Sequence, residues 1–284
     1  MDLVTVTEKM PLQGETITGQ AFSTFPGGKG ANQAVAAARL GAEVNMLGKV
    51  GNDLFGKKLK EILTQENVNV DFVDVTTNKE TGTASIIISD DDNRIIVVPG
   101  ANNEVTPEWV SFHEEQIRKS DILLLQLEIP LESVKKAAQI AKKHKIPVIL
   151  NPAPYQKLPT DLLKDVTYLT PNEHEYKQLL EEATKEEFDL IRAKSIITKG
   201  EEGVEFLLNN EKILVNAQKV DVVDTTGAGD TFNGALAVEL SKKQDMKEAV
   251  LFASIAGSLS VTKLGAQSGI PSLNDVKEIY ELQG

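Results

Sequence analysis

The sequence contains no cysteine and only three histidines. The absence of cysteine excludes a disulfide framework, a thiolate zinc site, an iron–sulfur cluster and a cysteine nucleophile. The histidines, His113, His144 and His174, are widely scattered and leave little material for a histidine-rich metal site. The chemistry of the chain is therefore expected to depend on other groups.

Long apolar segments are also absent. The longest uninterrupted apolar runs are short, as in residues 95–98 and 122–125, whereas a helix that crosses a bilayer needs about 20 apolar residues. Residues 1–8 lack the basic and apolar regions of a signal peptide. We therefore expect a cytoplasmic protein without a membrane segment.

Positive charge is in short supply as well. The chain has 30 Lys and Arg against 42 Asp and Glu, a formal net charge of −12. A negative surface repels a phosphate backbone unless a basic patch is concentrated somewhere. The lysine clusters at residues 57–60, 142–145 and 242–243 follow helical patterns and are interpreted as solvated faces. No nucleic-acid partner is expected.

What the sequence does contain, after residue 120, is an alternation of apolar runs with amphipathic stretches. This alternation predicts βαβ units and a parallel sheet. Before residue 100, alternating β-branched segments, among them residues 70–75, predict antiparallel strands and a hairpin turning at residues 90–93. We interpret residues 3–25 and 70–98 as a small β appendage on an α/β body. Appendages of this kind often cover an active site.

The densest motif lies at residues 224–234, which read DTTGAGDTFNG between a strand-like segment and an amphipathic helix. Gly227, Ala228 and Gly229 let a ligand approach the backbone, and the first N–H groups of the helix have no intrahelical partner. With the helix dipole, this arrangement predicts an anion site. Asp230 is then either a helix-starting residue or a base that deprotonates an alcohol attacking phosphorus.

Two further motifs have more than one interpretation. Residues 26–36, PGGKGANQAVA, form a glycine-rich turn with Lys29 and Asn32 as donors. The spacing is neither Walker A nor GxGxxG, and a tight strand-to-helix connection is an equal alternative. Asn172 and Glu175 lie three residues apart at a helix start, which suits a capping box and also magnesium binding through water.

Taken together, these motifs resemble the ribokinase-like (PfkB) carbohydrate kinases. The resemblance covers essentially the whole chain and rests on residues 27–34, 172–175, 198–203 and 224–230. It implies an α/β fold, with a three-layer body, a mostly parallel sheet and a small β-sheet lid, in a single domain over residues 1–284. It also implies ATP as phosphoryl donor and a pentose hydroxymethyl group as acceptor. Residues 27–34 are closer to ribokinases than to fructokinases or adenosine kinases.

The resemblance also implies roles for individual residues. Asp230 would deprotonate the 5-hydroxyl of D-ribose, and Gly227, Ala228 and Gly229 would form the anion hole. The implied sugar contacts are Asp2, Gly28, Lys29, Gly30, Asn32, Glu128 and Asp230. The implied nucleotide contacts are Asn172, Thr198, Lys199, Gly200, Gly203, Gly229 and Ser254. A potassium site, mainly of backbone carbonyls, is implied at Asp224, Thr226, Ser260, Lys263, Gly265 and Gly269, and Glu175 would hold magnesium through water.

The sequence departs from the family pattern at three points. The family begins with a central strand and a sugar-binding turn before the residue matched by Asp2, whereas this sequence starts at Met1. We therefore expect unpaired backbone groups in the middle of the parallel sheet. The connection over residues 182–195 is shorter than in the family, as if a helix were trimmed. At Gly269 the family more often has serine or another small polar residue.

Several alternatives to ribose phosphorylation stay open. A deoxyribokinase, fructokinase or nucleoside kinase would share the same motifs. A dinucleotide-binding oxidoreductase would share the α/β pattern, although no GxGxxG follows a first strand. A non-catalytic binding relic would account for the missing first strand. Because β lids with an exposed apolar face often pair across a dimer, we also expect a homodimer through the lid.

Overall fold

A computed structural model of the chain describes residues 1–90 and 92–281. The strands are β1 Asp2–Val6, β2 Ala21–Phe25, β3 Val44–Asn45, β4 Gly48–Gly51, β5 Val68–Asn69, β6 Val73–Thr76, β7 Thr83–Ser89, β8 Asp92–Val98, β9 Leu123–Leu125, β10 Val148–Leu150, β11 Tyr168–Leu169, β12 Ile196–Thr198, β13 Val204–Leu208 and β14 Glu211–Val215. The α-helices are α1 Lys29–Arg39, α2 Leu54–Gln65, α3 Pro107–Phe112, α4 Glu114–Lys119, α5 Leu131–Lys143, α6 Thr160–Asp165, α7 Glu173–Glu181, α8 Lys185–Lys194, α9 Ala228–Ser241, α10 Met246–Ser260 and α11 Leu273–Glu281, with short 3₁₀ turns at Gly100–Glu104 and Gly200–Glu202. None of these helices combines the length and the apolar character needed to cross a bilayer.

The strands β2, β1, β7 and β8 form, in that order, a four-stranded sheet, hereafter the lid. β1–β2 and β7–β8 are antiparallel, but β1 and β7 run parallel. The expected antiparallel pairing is therefore present in β1–β2 and in the β7–β8 hairpin, but not between β1 and β7, because the long chain between these two strands returns to the same end of the sheet. Ser89 pairs with Asp92 at the predicted hairpin turn, in which Asp91 lies outside the described residues.

The segment at residues 70–75 requires a second correction. A turn, closed by the N–H of Val73 donating to the carbonyl of Val70, separates β5 from β6. β5 pairs in parallel with β3, and β6 pairs in parallel with β4. This segment therefore belongs to two short parallel pairs and not to the lid, because an alternating pattern indicates a strand without indicating its partner.

Helices cover both faces of the parallel sheet formed by β9, β10 and β11. In the fully buried β10, Ile149 packs with α9 and α10, whereas Val148 and Leu150 pack with α5 on the other face. Successive side chains of a strand point to opposite faces, so the sheet lies between two helical layers. A bridge between Leu169 and Ser195 connects β11 to the segment that enters β12, which begins the antiparallel sheet β12–β13–β14.

The parallel strands form separate groups rather than one continuous sheet. Within residues 1–90 and 92–281, β3 pairs with β5 and β9 pairs with β10, but β3 and β9 do not pair with each other. Val44 of β3 and Leu124 of β9 pack against the same hydrophobic cluster of α9 and α10. β3 and β9 therefore belong to separate strand groups in the described residues, while the helical cluster that both contact is continuous.

The connection over residues 182–195, which the sequence analysis expects to be shorter than in the family, contains a full helix, α8. α8 begins with a capping box between Thr184 and Glu187. Glu187 is buried and also accepts a hydrogen bond from the hydroxyl of Thr160 at 2.6 Å, which connects α8 to the start of α6. The Thr-x-x-Glu pattern predicts this helix start, and the sequence interpretation missed it.

The helices that follow the two glycine-rich motifs, α1 and α9, pack together at Gly234. A Cβ atom at Gly234 would lie 2.6 Å from the Cβ of Ala36 and 2.7 Å from the carbonyl oxygen of Gln33. Only glycine therefore allows this approach. Asp230 lies one turn before Gly234 on the same face of α9, so the contact brings α1 to the predicted base.

Candidate active site

The turn before α9 is packed on one side and open on the other. Gly227, the N-cap of α9, has a φ of 81°, in the left-handed region that favours glycine. A Cβ atom there would lie 2.9 Å from Ala266, whereas a Cβ atom at Gly229 would meet nothing within 4 Å. Because the first N–H groups of a helix lack intrahelical partners, the open side fits the predicted anion hole.

Asp230 is buried in the first turn of α9, with 7% of its surface exposed. Its Oδ2 accepts a hydrogen bond from Asn32 Nδ2 at 2.9 Å, and its Oδ1 accepts one from Gln33 Nε2 at 3.0 Å. Burial raises the pKa of Asp230, although the charge of Lys29 and the two amide donors act in the opposite direction. A buried carboxylate with a raised pKa beside an anion hole is suited to general-base chemistry.

Further amides hold the two donors to Asp230. Gln126 Nε2 donates to Gln33 Oε1, and Gln267 Nε2 donates to Asn32 Oδ1 at 3.0 Å. Gln33 Nε2 also donates to Asn151 Oδ1 at 3.2 Å. The side-chain oxygen of each amide that donates to Asp230 therefore accepts a hydrogen bond from a further glutamine.

Two acidic side chains that the resemblance assigns to sugar binding lie beside the start of α1. Glu128 accepts a hydrogen bond from the backbone N–H of Lys29 at 2.7 Å. Asp2 lies so close to Gly27 that a Cβ atom at Gly27 would overlap its carboxylate. Burial raises the pKa of both Asp2 and Glu128, and the negative charge of Asp230 acts in the same direction. The structure thus brings three carboxyl groups into one electrostatically coupled region.

Glycines leave space at the same end of α1. Gly28, the N-cap of α1, has a φ of 96°, and a Cβ atom there would lie 3.9 Å from Glu128. A Cβ atom at Gly30 would lie 3.1 Å from the side-chain oxygen of Gln126. With Asn32 and Lys29, the implied sugar contacts of α1 therefore lie around the carboxylates of Asp2, Glu128 and Asp230.

The implied nucleotide contacts form a second group at α7 and β12. Asn172 Oδ1 accepts a hydrogen bond from the N–H of Glu175 at 2.8 Å, and the N–H of Asn172 donates to Glu175 Oε2 at 2.9 Å. Asn172 also pairs with Thr198 in a backbone bridge. Burial raises the pKa of Glu175, and the positive charge of Lys29 opposes that rise. Glu175 therefore lies within electrostatic range of Lys29, one of the implied sugar contacts.

The side chain of Lys199 is already paired with acidic partners. Its Nζ lies 3.0 Å from Glu202 and 3.6 Å from both Glu173 and Glu205. An ammonium group shared among three carboxylates is poorly placed to hold a phosphate. The nucleotide contact implied at this position is therefore better suited to its backbone.

The remaining implied nucleotide contacts are small residues. Gly200 and Gly203, at the two ends of a 3₁₀ turn, have φ values of 55° and 104°. A Cβ atom at Gly203 would overlap the carbonyl oxygen of Val215, which excludes a side chain there. Ser254 is buried in α10. The structure does not join Ser254 to the Asn172 group by a hydrogen bond among the described residues.

Asp224 connects the anion-hole turn to the loop over residues 263–270. Its Oδ1 accepts hydrogen bonds from the N–H and the hydroxyl of Thr226 at 2.9 and 2.6 Å, and its Oδ2 accepts one from the N–H of Gly265 at 2.8 Å. Burial acts to raise the pKa of Asp224, but these hydrogen bonds outweigh it and the pKa is lowered. Lys263, in the same loop, is exposed.

The rest of this loop is held by backbone contacts. A Cβ atom at Gly269 would overlap the carbonyl oxygen of Ser260, so the serine common in the family does not fit at position 269. Arg39 Nη1 donates to the carbonyls of Gln267 and Ile270 at 2.8 and 2.9 Å. In the described part of the chain no three His, Asp or Glu side chains converge as a metal cluster. A cation here would therefore need backbone carbonyl ligands.

Comparison with known proteins identifies the family. A sequence profile of the pfkB family of carbohydrate kinases matches residues 1–273. The chain belongs to this family. It is 48% identical to the ribokinase of Bacillus subtilis over 280 residues, which cover 98% of this chain and 96% of that protein. It is 45% identical to the ribokinase of Lactococcus lactis over 286 residues, which cover 100% and 95%.

Solved structures agree with this assignment. The structure of Arabidopsis thaliana ribokinase complexed with ribose and ATP has a TM-score of 0.91 and 34% sequence identity, covering 99% of this chain and 95% of that one. The ribokinase of Thermotoga maritima has a TM-score of 0.89 and 36% identity, covering 100% and 96%. The predicted ribokinase-like α/β fold is confirmed, and the dinucleotide-binding oxidoreductase alternative is wrong.

The sequence analysis assigns no role to four polar residues of the site, although each is hydrogen-bonded to Asp230 or to one of its two amide donors, Asn32 and Gln33. They are Gln33, Gln126, Asn151 and Gln267. Two signals could have found part of the set. A glutamine interrupts the alanine-rich face of α1, and Asn151 directly follows the buried strand β10. Polar groups in such positions must find partners inside the protein.

Proposed function

We propose that this chain transfers the γ-phosphoryl group of ATP to the 5-hydroxyl of D-ribose, giving ribose 5-phosphate and ADP. The observation that carries the proposal is the buried carboxylate of Asp230 at the open, glycine-lined start of α9. The ribokinases of B. subtilis and L. lactis align with almost the whole chain. The similar Arabidopsis ribokinase was solved in complex with ribose and ATP, which supports the same pair of substrates here.

In this mechanism Asp230 acts as the general base. It takes the proton of the sugar hydroxyl as that oxygen attacks the γ-phosphorus in line with the departing ADP. The N–H groups at the start of α9, around Gly227 and Gly229, stabilise the charge on the transferring phosphoryl group. The raised pKa of Asp230 supports this role, because a base with a higher pKa holds the transferred proton better.

The carboxylates of Asp2 and Glu128 are proposed to accept hydrogen bonds from the other sugar hydroxyls. Both are partly buried, so a sugar that lacks a hydroxyl would leave a partly desolvated carboxylate without its partner. Sites of this kind reject the deoxy analogue more strongly than apolar pockets do. This supports ribose over deoxyribose within the family.

Two cations belong to the proposal. Oε2 of Glu175 accepts a hydrogen bond from the backbone N–H of Asn172. Its other oxygen, Oε1, is suited to accept a hydrogen bond from a water bound to magnesium. Magnesium would neutralise charge on the phosphates of ATP. The oxygens of Asp224 and the carbonyls of Ser260 and Gly265 suit a monovalent cation, which would support the shape of the anion-hole turn. Lys263 and Gly269 would contribute only backbone carbonyls.

The lid is proposed to pair with a second copy of the chain. Apolar side chains of β8 are exposed in the described structure, with 54% of Ile95, 62% of Ile96, 60% of Val97 and 54% of Val98 accessible. Burying such side chains in a dimer is favourable. Sedimentation at micromolar concentration should show a dimer, and a monomeric mass would contradict it. A cytoplasmic location, where ATP is available, is part of the same proposal.

A coupled assay of ADP release tests the proposed reaction. The protein, ATP, magnesium and potassium are combined with D-ribose, 2-deoxy-D-ribose, D-fructose or a nucleoside, and ³¹P NMR identifies the phosphorylated position. We expect the highest kcat/KM for ribose and a phosphate on O5. A higher value for another acceptor would overturn the ribose assignment alone. No transfer to any acceptor by the folded protein would favour the non-catalytic relic.

A further inference from the structure

The two oxygens of Asp230 are bonded to adjacent residues of α1 that differ in character. Asn32, which donates to Oδ2, is among the implied sugar contacts. Gln33, which donates to Oδ1, has only 1% of its surface exposed. Asn32 is also buried, with 6% of its surface exposed, but Gln33 is the more deeply enclosed of the two and has no place among the implied sugar contacts.

The orientation of the Gln33 amide is determined by its partners. An ionised carboxylate only accepts hydrogen bonds, so Gln33 must direct Nε2 towards Asp230. Its Oε1 then accepts from Gln126, and its second N–H donates to Asn151. Asn151 is oriented in turn, because its Nδ2 donates to the carbonyl of Thr170 at 3.0 Å. A flipped amide would lose all three of the Gln33 bonds.

The packing of α1 on α9 sets the distance between Gln33 and Asp230. The carbonyl oxygen of Gln33 is the backbone atom that a Cβ at Gly234 would meet at 2.7 Å. The main chain of Gln33 is therefore held against α9 one turn away from the carboxylate that its side chain contacts. Both ends of this residue are fixed relative to the base.

We infer that Gln33 is a positioning residue for the base: it anchors Oδ1 of Asp230 and leaves Oδ2, on the Asn32 side, to receive the proton of the sugar hydroxyl. This inference rests on the proposed function. Because Gln33 acts through Asp230 and does not contact the sugar, its loss affects turnover more than substrate binding. A small displacement of a base from its reacting partner is enough to slow a reaction about 100-fold.

Two substitutions test the inference. Gln33→Met keeps the approximate volume but removes the donor, so we expect kcat to fall about 10- to 100-fold while KM for ribose changes less than about threefold. Gln33→Glu keeps the shape and the acceptor for Gln126 but replaces the Nε2 donor with a second carboxyl group, which competes with Asp230 for one proton. A purely structural role predicts that the isosteric Gln33→Glu is the milder variant, whereas the positioning role predicts that it is at least as damaging.

The titration of Asp230 provides a readout that does not depend on activity. A donor to a carboxylate stabilises its charged form, so Gln33→Met should raise the titration midpoint of Asp230 above that of the unsubstituted protein. Carboxyl ¹³C NMR can follow this midpoint, with the resonance assigned by its loss in Asp230→Asn. Lys29, Asp2 and Glu128 also face Asp230 and are unchanged in both variants.

Ser133→Ala serves as the control for the loss of a buried hydrogen bond. The Ser133 hydroxyl is fully buried and donates to the carbonyl of Val105 at 2.5 Å, in a part of the fold without an assigned role. We expect this variant to lose stability but to keep the kcat and the Asp230 titration of the unsubstituted protein. An unchanged Asp230 midpoint in folded Gln33→Met and Gln33→Glu would overturn the inference. If no sugar is phosphorylated by the unsubstituted protein, the proposed function fails, and the NMR titration still decides the role of Gln33.

Discussion

Asp224 and Asp230 lie at the two ends of one turn, but their surroundings shift their pKa values in opposite directions. Asp224 is partly exposed, accepts hydrogen bonds from Thr226 and Gly265, and has a lowered pKa. Asp230 is buried, accepts hydrogen bonds from side-chain amides of α1, and has a raised pKa. Opposed environments of this kind fit the proposed division between a carboxylate that stays ionised and supports a loop and one that accepts a proton.

Asp230→Asn should have the largest effect on this comparison. The amide cannot accept the sugar proton, so we expect kcat to fall about 10²- to 10⁴-fold, the range typical of general bases. The ADP-release assay measures the loss. Asp189→Asn, at an exposed position of α8, is the matched control and should keep normal turnover. Near-normal turnover of Asp230→Asn would contradict the assigned mechanism.

Gly234→Ala should disturb the Asp230 end of the turn through packing alone. The added methyl group would meet Ala36 and the backbone of Gln33 within 3 Å, so α1 and α9 must move apart. We expect a loss of about 1–3 kcal/mol in the free energy of unfolding and a fall of about tenfold in kcat. Gly19→Ala, whose Cβ would make ordinary contacts at 3.5 Å, is the control for denaturation and activity. Equal behaviour of the two variants would argue against a constrained approach of the helices.

Asp224→Asn should affect the other end of the turn and do so more mildly. The neutral side chain can still accept with one oxygen, but it loses the charge that strengthens the bonds from Thr226 and Gly265. We expect a severalfold fall in kcat and a higher potassium concentration for half-maximal activity. A potassium titration at saturating ATP and ribose measures both. An unchanged potassium response would remove Asp224 from the proposed cation site.

The pH dependence should show the smallest but most direct difference between the two carboxylates. Because burial raises the pKa of Asp230, kcat should decline with falling pH in a range above the value of about 3.9 that is usual for aspartate. Asp224, with its lowered pKa, stays ionised through that range. A pH profile of kcat that declines only below about 3.9 would contradict the raised pKa of the base.

The opposite pKa shifts of Asp224 and Asp230 also predict opposite contributions of the two residues to the free energy of unfolding. A lowered pKa in the folded state contributes stability that is present at neutral pH and lost as the pH falls through that pKa. Asp224 belongs to this case. A raised pKa in the folded state contributes stability that is present in acid and lost as the pH rises through it, which is the case of Asp230. Thermal unfolding of Asp224→Asn against the unsubstituted protein should therefore differ at pH 7 and converge in acid.

The glycine-rich turn before α9 could be predicted from the sequence, but the hydrogen-bond partners of Asp230 could not. Glycines at a strand-to-helix junction have a local physical meaning, so residues 227–229 are interpretable without a fold. Gln33, by contrast, lies 197 residues from Asp230 in the chain. Its side chain contacts Asp230 only when α1 packs against α9. The glutamine among the alanines of α1 indicates a buried polar group without indicating its partner.

The lid shows the same limit at the level of strands. Alternating β-branched residues predicted that β1, β7 and β8 exist, because periodicity is a local property. The parallel pairing of β1 with β7 depends on the path of the intervening chain, and so does the pairing of β6 with β4. α8 is a different case, because its capping-box residues, Thr184 and Glu187, were a local signal present in the sequence.

Helix α1 has a consequence for how the ligands of this protein influence one another. Its N-terminal part carries the proposed sugar contacts and the two donors to Asp230, and its last residue, Arg39, donates hydrogen bonds to the carbonyls of Gln267 and Ile270. The two ends are separated by about 16 Å of rigid helix, at 1.5 Å per residue. A ligand that orders the loop over residues 263–270 and a sugar that orders residues 28–32 thus act on the same rigid helix, α1. Thermodynamic linkage then requires that each changes the affinity for the other by the same factor.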